Sequence, residues 1–254
     1  MKRRKAGIGI FVIVLIITAV RVKSMDSHRI SGRILAENIA GPGMLRLVEQ
    51  SMQAQAQKTS VTEIAVKEWK HPQAALTFDD GPDIRYTPLL LDGLKERNVR
   101  VSFFLLGEKV EQYPELVERM QKEGHLVGNH TYHHVQLNKL NETKAREEIL
   151  KTNNLIYETT GVYPLYLRPP FGAWKKNLEL CVEMLPVFWT IDTLDWKVQN
   201  TEKIVRTVQE QIEDGAIILM HDEYDTSVEA ALQVVDELKN QGYELVTVDQ
   251  LTLP

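Results

Sequence analysis

The stretch ALTFDDGPD, residues 75–83, decides the fold class and points to a site at the same time. Its apolar first half is typical of a buried strand, and two adjacent carboxylates, Asp79 and Asp80, follow at once. Gly81 and Pro82 then turn the chain away from the strand. Because burying two neighbouring acids is costly, the pair indicates either a surface Asp-Gly turn or a site in which each acid has its own partner.

Short apolar runs alternate with longer amphipathic ones from residue 73 onward. The predicted strands are 74–78, 101–106, 125–129, 165–168, 187–190, 216–220 and 243–248. The predicted helices are 87–98, 113–124, 141–161, 175–185, 201–215 and 227–242. Such alternation implies parallel strands joined by helical crossovers. Seven strands with six intervening helices favour an incomplete α/β barrel, in which the chemistry lies where strands end and loops begin.

Size and composition narrow the class of protein. The 254 residues are 43% hydrophobic and 26% charged, which suits one large α/β domain with an appendage. A net charge of -5 gives no basic footprint, so no nucleic-acid partner is expected. Cys181 is the single cysteine, which excludes an intramolecular disulfide and a cysteine-rich zinc cluster. A metal would therefore be bound by histidines and carboxylates.

The N-terminus predicts export. A basic leader, MKRRK, precedes the apolar run 6–20, and no small-residue cleavage site is obvious after it. We therefore expect residues 1–23 to be an uncleaved membrane anchor with its basic end inside and the rest of the chain outside. A cleaved signal peptide and a secreted protein are the alternative. Residues 24–72 are polar and mixed, which predicts an extracytoplasmic linker or stalk before the main domain, 73–254.

Polar and ionisable segments follow five of the seven predicted strands. They are DDG after the first strand, HTYHH after the third, RPPFG after the fourth, DTLDW after the fifth and HD after the sixth. The carboxyl ends of the strands of an α/β barrel share one rim, so these segments are expected to meet. Chance would scatter such residues over helices and both rims, and the convergence therefore carries more weight than any single motif.

The histidines predict a metal site. His130 and His134 are four residues apart, so one helical turn or a tight loop could aim both imidazoles at one point. With a carboxylate as third ligand they would bind a divalent ion and leave positions open for water. Zinc is the first expectation, with cobalt, nickel or manganese as alternatives. His133 is a competing partner for His130, and an isolated pair of this spacing is more often an incidental polar loop.

The remaining rim residues predict acid–base chemistry. One aspartate of the pair could bind the metal while the other acts as general base, held by Arg168, and spacing alone allows either order. His221 leaves a buried strand and could protonate a leaving group, provided that a carboxylate keeps the imidazole charged. Asp192 and Asp195 are both available for that purpose. Among the aromatic residues behind the strands, Trp196 is the one expected to wall the site.

The five segments TFDDG, HTYHH, RPPFG, DTLDW and LMH, in this order, resemble the motifs of the polysaccharide deacetylases, the NodB-like carbohydrate esterases. The resemblance covers roughly residues 73–254 and implies a distorted (β/α)7 barrel. It implies hydrolysis of N-acetyl groups on an aminosugar polysaccharide, with release of acetate. Peptidoglycan is the first expected substrate because of the predicted anchor, before chitin-like oligomers or another N-acetylated glycan. The alternatives are an O-acetyl esterase acting on xylan and a catalytically silent wall-binding protein.

The resemblance also implies catalytic roles. Asp79 would be the general base, and Arg168 would orient it. His221 would be the general acid, tuned by Asp192. Asp195 keeps the motif pattern, but no catalytic role is assigned to it.

The metal ligands and the substrate pocket follow from the same resemblance. The implied ligands are Asp80, His130 and His134, and His133 is left out. The backbone amide of Phe171, which stands where the family often has tyrosine, would help to stabilise the oxyanion. Trp196 and Leu219 would line the pocket for the acetyl methyl group.

Overall fold

The computed structural model of the protein describes residues 71–174 and 184–251. The predicted anchor, 1–23, lies outside these residues, as do nearly all of the predicted linker, 24–72, and of the predicted helix 175–185. Within the described ranges, no helix combines the length and the apolar character needed to cross a membrane.

One curled parallel sheet forms the frame of the domain. Its strands are β1 (Gln73–Asp79), β2 (Ser102–Leu105), β3 (Leu126–Asn129), β4 (Tyr166–Leu167), β5 (Leu185–Pro186), β6 (Ile191–Asp192), β7 (Ala216–His221) and β8 (Glu244–Leu245). They run in the order β5-β4-β3-β2-β1-β7-β6, and β8 pairs with the first residues of β1. Every ladder is parallel. Among the described residues no ladder joins β5 to β6, so the prediction of an incomplete barrel is confirmed.

Helices connect the strands, as the alternating pattern predicted. They are α1 (Thr87–Glu96), α2 (Gly107–Gln112), α3 (Pro114–Lys122), α4 (Glu142–Thr160), α5 (Asp195–Val198), α6 (Thr201–Gln211) and α7 (Asp225–Asn240). Asn141 and Asn200 cap α4 and α6 by accepting backbone N–H groups at 2.9 and 3.0 Å. Gly161 ends α4 with a φ of 74°, a left-handed conformation that costs glycine little. The short helices α2 and α5 were not predicted, because one or two turns carry too little periodicity.

The predicted strand 187–190 is wrong. In its place, two strands of two residues each, β5 and β6, flank the segment. The carbonyl oxygens of Val187 and Phe188 accept hydrogen bonds from Arg168 instead of from a neighbouring strand. The apolar run VFWT predicted a buried strand, but its residues are half-buried or exposed, and Phe188 is 41% exposed.

The core lies on both faces of the central strands. All seven residues of β1 are buried, as expected of a parallel strand covered on each side. The rings of Phe78 and Phe103 stack with centroids 5.5 Å apart. Each such side chain contributes about 1.5–3 kcal/mol when it is fully buried. The largest fully buried side chain among the described residues is nevertheless a cation, Arg168, and a buried charge requires a partner.

Candidate active site

The register of the parallel ladders brings the predicted residues to one rim. Asp79, the last residue of β1, pairs with His221, the last residue of β7. Asn129 at the end of β3 pairs with the residue before Arg168, so His130 and Arg168 leave adjacent strands side by side. The amide of Arg168 donates to the Asn129 carbonyl at 2.9 Å. Convergence of the five segments is thus a consequence of in-register parallel pairing.

Asp80, His130 and His134 form a cluster that fits a divalent metal ion. Oδ1 of Asp80 lies 3.4 Å from Nε2 of each histidine, and the three candidate ligand atoms all lie within 4.8 Å of one another. This oxygen is buried and accepts no hydrogen bond, which is costly for a carboxylate unless a cation lies against it. Two nitrogen ligands and one oxygen ligand are a donor set that zinc and similar ions accept.

The ring of His130 is oriented for metal binding. Its Nδ1 lies 2.7 Å from the carbonyl oxygen of Arg168, so Nδ1 carries the proton and donates it, and the lone pair of Nε2 faces Asp80. Burial lowers the pKa of His130 to about 3, against the opposing charge of Asp80. The neutral imidazole that a metal requires is therefore the form this environment favours.

His134 and His133 diverge although they are neighbours in the chain. His134 has a φ of 55° and lies with its ring 5.1 Å from the ring of His130. The side chain of His133 is 58% exposed, and its Nδ1 lies 2.8 Å from Oε1 of Glu148. The structure therefore places the competing histidine outside the cluster.

Asp79 is held by Arg168. The guanidinium donates to Oδ1 of Asp79 at 2.8 Å and to Oγ1 of Thr77 at 2.6 Å, while Cζ lies 4.3 Å from the centre of the Phe104 ring. Burial raises the pKa of Asp79, and the charge and hydrogen bond of Arg168 oppose that rise. A fixed, buried carboxylate of raised pKa has the properties of a general base. Spacing alone left the order of the two aspartates open, and in the structure Asp79 meets the arginine and Asp80 meets the histidines.

The carboxylate beside His221 is Asp195, and the prediction that Asp192 tunes this histidine is corrected. Nδ1 of His221 lies 2.8 Å from Oδ1 of Asp195, and the His221 amide donates to Oδ2 of Asp195 at 2.7 Å. Oδ1 of Asp192 instead accepts the amide of Leu194 at 3.0 Å, which closes a local turn. Leu194, with a φ of 51°, redirects the chain after the two-residue strand β6, so the first residue of α5 reaches β7.

The Asp195 contact determines the charge of His221. Burial disfavours the imidazolium, but the hydrogen bond and charge of Asp195, with the charges of Asp79 and Asp80, outweigh it and raise the pKa of His221 to about 9. Nε2 of His221 lies 3.8 Å from Oδ2 of Asp80, so the protonated ring faces the metal cluster. This is the arrangement expected of a general acid.

The predicted pocket residues belong to three of the rim segments, RPPFG, DTLDW and LMH. Phe171 is 62% exposed, and its ring lies 4.5 Å from that of His134. The turn around Phe171 uses the amides of Gly172 and Ala173 as hydrogen-bond donors. Trp196 is half exposed at the start of α5, whereas Leu219 is buried on β7.

Backbone strain is concentrated at this rim. Of the seven described non-glycine residues with positive φ, five belong to the rim segments: Asp80, Thr131, His134, Phe171 and Leu194. Each such conformation costs on the order of 1–3 kcal/mol and persists only where the surroundings impose it. Strain of this kind supports a functional role for the rim, since loops without function rarely retain it.

Comparisons with known proteins agree with this geometry. Residues 67–187 match the family model described as polysaccharide deacetylase. The peptidoglycan-N-acetylglucosamine deacetylase PgdA of Listeria monocytogenes serotype 1/2a is 43% identical over 177 residues, which are 70% of this chain and 38% of that protein. A peptidoglycan-N-acetylglucosamine deacetylase of Bacillus cereus is 40% identical over 186 residues, 70% of this chain and 68% of that protein. The structure of the peptidoglycan deacetylase PdaC from Bacillus subtilis has a TM-score of 0.70 at 42% identity, and the match covers 72% of this chain and 90% of that chain.

Proposed function

Since this chain belongs to the polysaccharide deacetylase family, we propose that it is a metal-dependent hydrolase that removes N-acetyl groups from the aminosugars of peptidoglycan. One observation carries the proposal. The buried, unbonded Oδ1 of Asp80 lies 3.4 Å from two imidazole nitrogens, directly beside the Asp79–Arg168 pair. The names of the relatives described above support peptidoglycan as the substrate.

Asp80, His130 and His134 would hold the metal. Zinc is our first choice, because two histidines and a carboxylate are a common zinc set, and cobalt, nickel and manganese are the alternatives. A bound divalent ion supplies Lewis-acid polarisation and lowers the pKa of water. The protein contributes the fixed orientation of the two rings and the absence of any competing hydrogen bond at Oδ1 of Asp80.

The remaining residues would move two protons. Asp79 takes a proton from the attacking water while the oxygen of that water forms a bond to the acetamide carbon. Arg168 holds Asp79 in position throughout. His221 donates a proton to the nitrogen as the carbon–nitrogen bond breaks, so that acetate and a free amino sugar leave. With its pKa raised to about 9, His221 carries that proton at neutral pH. The protons balance, because one is accepted and one is donated.

The pocket residues would position the acetyl group. The amide of Phe171 would donate to the oxyanion, in a turn whose left-handed φ of 59° sets the direction of the backbone. Trp196 and Leu219 would contact the acetyl methyl group from the side of α5 and β7. The exposed faces of Phe171 and Trp196 would also stack on sugar rings.

The location of the domain is part of the proposal. The basic leader and apolar run over residues 1–23 support an uncleaved anchor that holds the domain outside the membrane, where peptidoglycan lies. Membrane fractionation of cells expressing the chain, followed by protease treatment of intact protoplasts, tests this arrangement. Recovery in the medium with a shortened N-terminus would instead indicate cleavage and secretion.

Acetate release by the full chain tests the activity. Peptidoglycan, chitooligosaccharides and acetylxylan are supplied with added zinc or cobalt, and Asp79→Asn serves as the matched variant. We expect acetate from peptidoglycan with the wild-type protein and almost none with the variant. Acetate from acetylxylan alone would identify an O-acetyl esterase. A purified protein without divalent metal and without acetate release, whose Asp79→Asn variant binds peptidoglycan as the wild type does, would instead be a silent wall-binding protein.

A further inference from the structure

The loop that follows β3, residues 130–135, carries both predicted metal-binding histidines, and we call it the histidine loop. A carboxylate on α4 binds the backbone of its middle. Oε2 of Glu148 accepts the amides of Tyr132 and His133 at 3.0 and 2.9 Å. Oε1 of the same carboxylate lies 2.8 Å from Nδ1 of His133. Three contacts therefore converge on one carboxylate that is itself largely buried.

The opposite side of the histidine loop is held by α2. The amide of Gly107 donates to the carbonyl of Thr131 at 3.0 Å, and the amide of Glu108 donates to the carbonyl of Tyr132 at 3.3 Å. A Cβ at Gly107 would lie 2.4 Å from the Tyr132 ring, so this close approach requires glycine. The loop is thus clamped between two helices, with its carbonyls on α2 and its amides on Glu148.

The histidine loop needs such a clamp because of its backbone. Thr131 and His134 have φ values of 67° and 55°, which are unfavourable for residues with a Cβ and most unusual for a β-branched one. The amides bound by Glu148 lie between these two strained positions. If those amides were free, the loop could relax, and the ring of His134 would turn away from Asp80.

We propose that Glu148 is a positioning residue that holds the histidine loop in its metal-binding conformation. This inference rests on the proposed function, since it concerns the same metal cluster. Glu148 does not belong to that cluster, and it acts through Tyr132 and His133. The contact with Glu148 also explains why His133 does not join the metal cluster, because its ring is bound to this carboxylate on the far side of the loop.

The length of the Glu148 side chain and its acceptor oxygen can be tested by separate substitutions. Glu148→Gln keeps the length of the side chain and one oxygen able to accept both amides. Glu148→Asp keeps the charge but shortens the side chain by one methylene, so that the amides lose their acceptor. Glu148→Ala removes both properties. His133→Ala is the matched control, because it deletes the imidazole and leaves in place the two hydrogen bonds from backbone amides to Glu148.

The affinity of the full chain for Co²⁺ alone measures the effect, by competition with a chromophoric chelator at constant pH. Loss of a residue that orients the metal ligands lowers metal affinity by about 10- to 100-fold. We expect a decrease of this size for Glu148→Ala and Glu148→Asp. Glu148→Gln and His133→Ala should stay within about threefold of the wild type, well inside that range. Acetate release by Glu148→Asp should recover at saturating Co²⁺. Because bound metal would also restore a destabilised fold, this recovery does not separate the two causes by itself. The melting temperature of each metal-free variant reports the fold separately.

Two results would overturn the inference. One is wild-type Co²⁺ affinity in folded Glu148→Asp, and the other is a loss in Glu148→Gln as large as in Glu148→Asp. These two variants decide the matter even if Glu148→Ala fails to fold. A wild-type chain that binds no Co²⁺ would contradict the proposed metal site itself, which separates that failure from failure of the role of Glu148.

Discussion

His130 and His221 lie at the same rim of the sheet, with side chains only 3% and 12% exposed, yet their protonation differs. Burial lowers the pKa of His130 to about 3, and its Nδ1 meets a neutral backbone carbonyl. Burial also acts on His221, but the Asp195 carboxylate at Nδ1 raises the pKa of that ring to about 9. At similar burial, the group at Nδ1 decides between a lone pair for a metal and a proton for a leaving group.

Removing the neutral histidine should have the largest effect. His130→Ala deletes one of three ligands, so the protein should lose its bound metal and at least about a thousandfold of its acetate release, since the metal's electrostatic contribution is worth several kcal/mol. His134→Ala should behave in the same way. Metal content by atomic emission and acetate release measure the two effects. Equal loss of metal in His133→Ala would show that the ligands are wrongly assigned.

Removing the charged histidine should separate activity from metal binding. His221→Ala keeps Asp80, His130 and His134, so metal content should match that of the wild type. Acetate release should fall about 10²- to 10⁴-fold, the usual contribution of a general acid. If His221→Ala purified without metal, the contrast between the two histidines would not hold.

Removing the partner of His221 should make the two histidines more alike. In Asp195→Asn the pKa of His221 falls, so its proton is lost at lower pH and the alkaline limb of kcat/KM moves down by about 1–2 pH units. The charge on His221 also stabilises the fold, and this contribution of His221 is complete below pH 6.5 and is lost as pH rises through about 9. Asp192→Asn is the control and should leave the limb in place. A shift in Asp192→Asn instead would restore the original assignment.

Two buried aspartates can be compared in the same way, and this comparison predicts the smallest effect, a change in stability with pH. Asp195 and Asp222 are both fully buried, but His221 lowers the pKa of Asp195 despite its burial, whereas burial raises that of Asp222 to about 7. Because that folded-state pKa exceeds the ordinary 3.8, the stability contributed by Asp222 is complete below 3.8 and is lost as pH rises through 7.

Asp222→Asn removes this ionisation. Thr87 donates a hydrogen bond to Oδ2 of Asp222, and Asn keeps an oxygen to accept it. The gain in the free energy of unfolding over wild type should be roughly 1–3 kcal/mol larger at pH 8 than at pH 5. Urea denaturation at the two pH values measures the difference. A gain independent of pH would show that Asp222 does not titrate in this range.

Much of the fold could be predicted along the chain. Apolar runs alternating with amphipathic ones are local signals, and they led to parallel strands, helical crossovers and an open barrel. The exceptions were local as well. The prediction of strand 187–190 was wrong because the carbonyls of Val187 and Phe188 accept hydrogen bonds from Arg168, about twenty positions earlier in the chain. Hydrophobic periodicity carries no information about such a donor.

Chain order and residue type alone were sufficient to place the two aspartates, the histidines, Arg168 and His221 at one rim, because parallel strands deliver their carboxyl ends to the same edge. Which side chains meet there depended on the tertiary structure. Asp195 rather than Asp192 reaches His221, and His133 turns to Glu148 while His134 turns to Asp80. Left-handed residues in loops set these directions, and contacts with other elements hold them in place against their intrinsic cost.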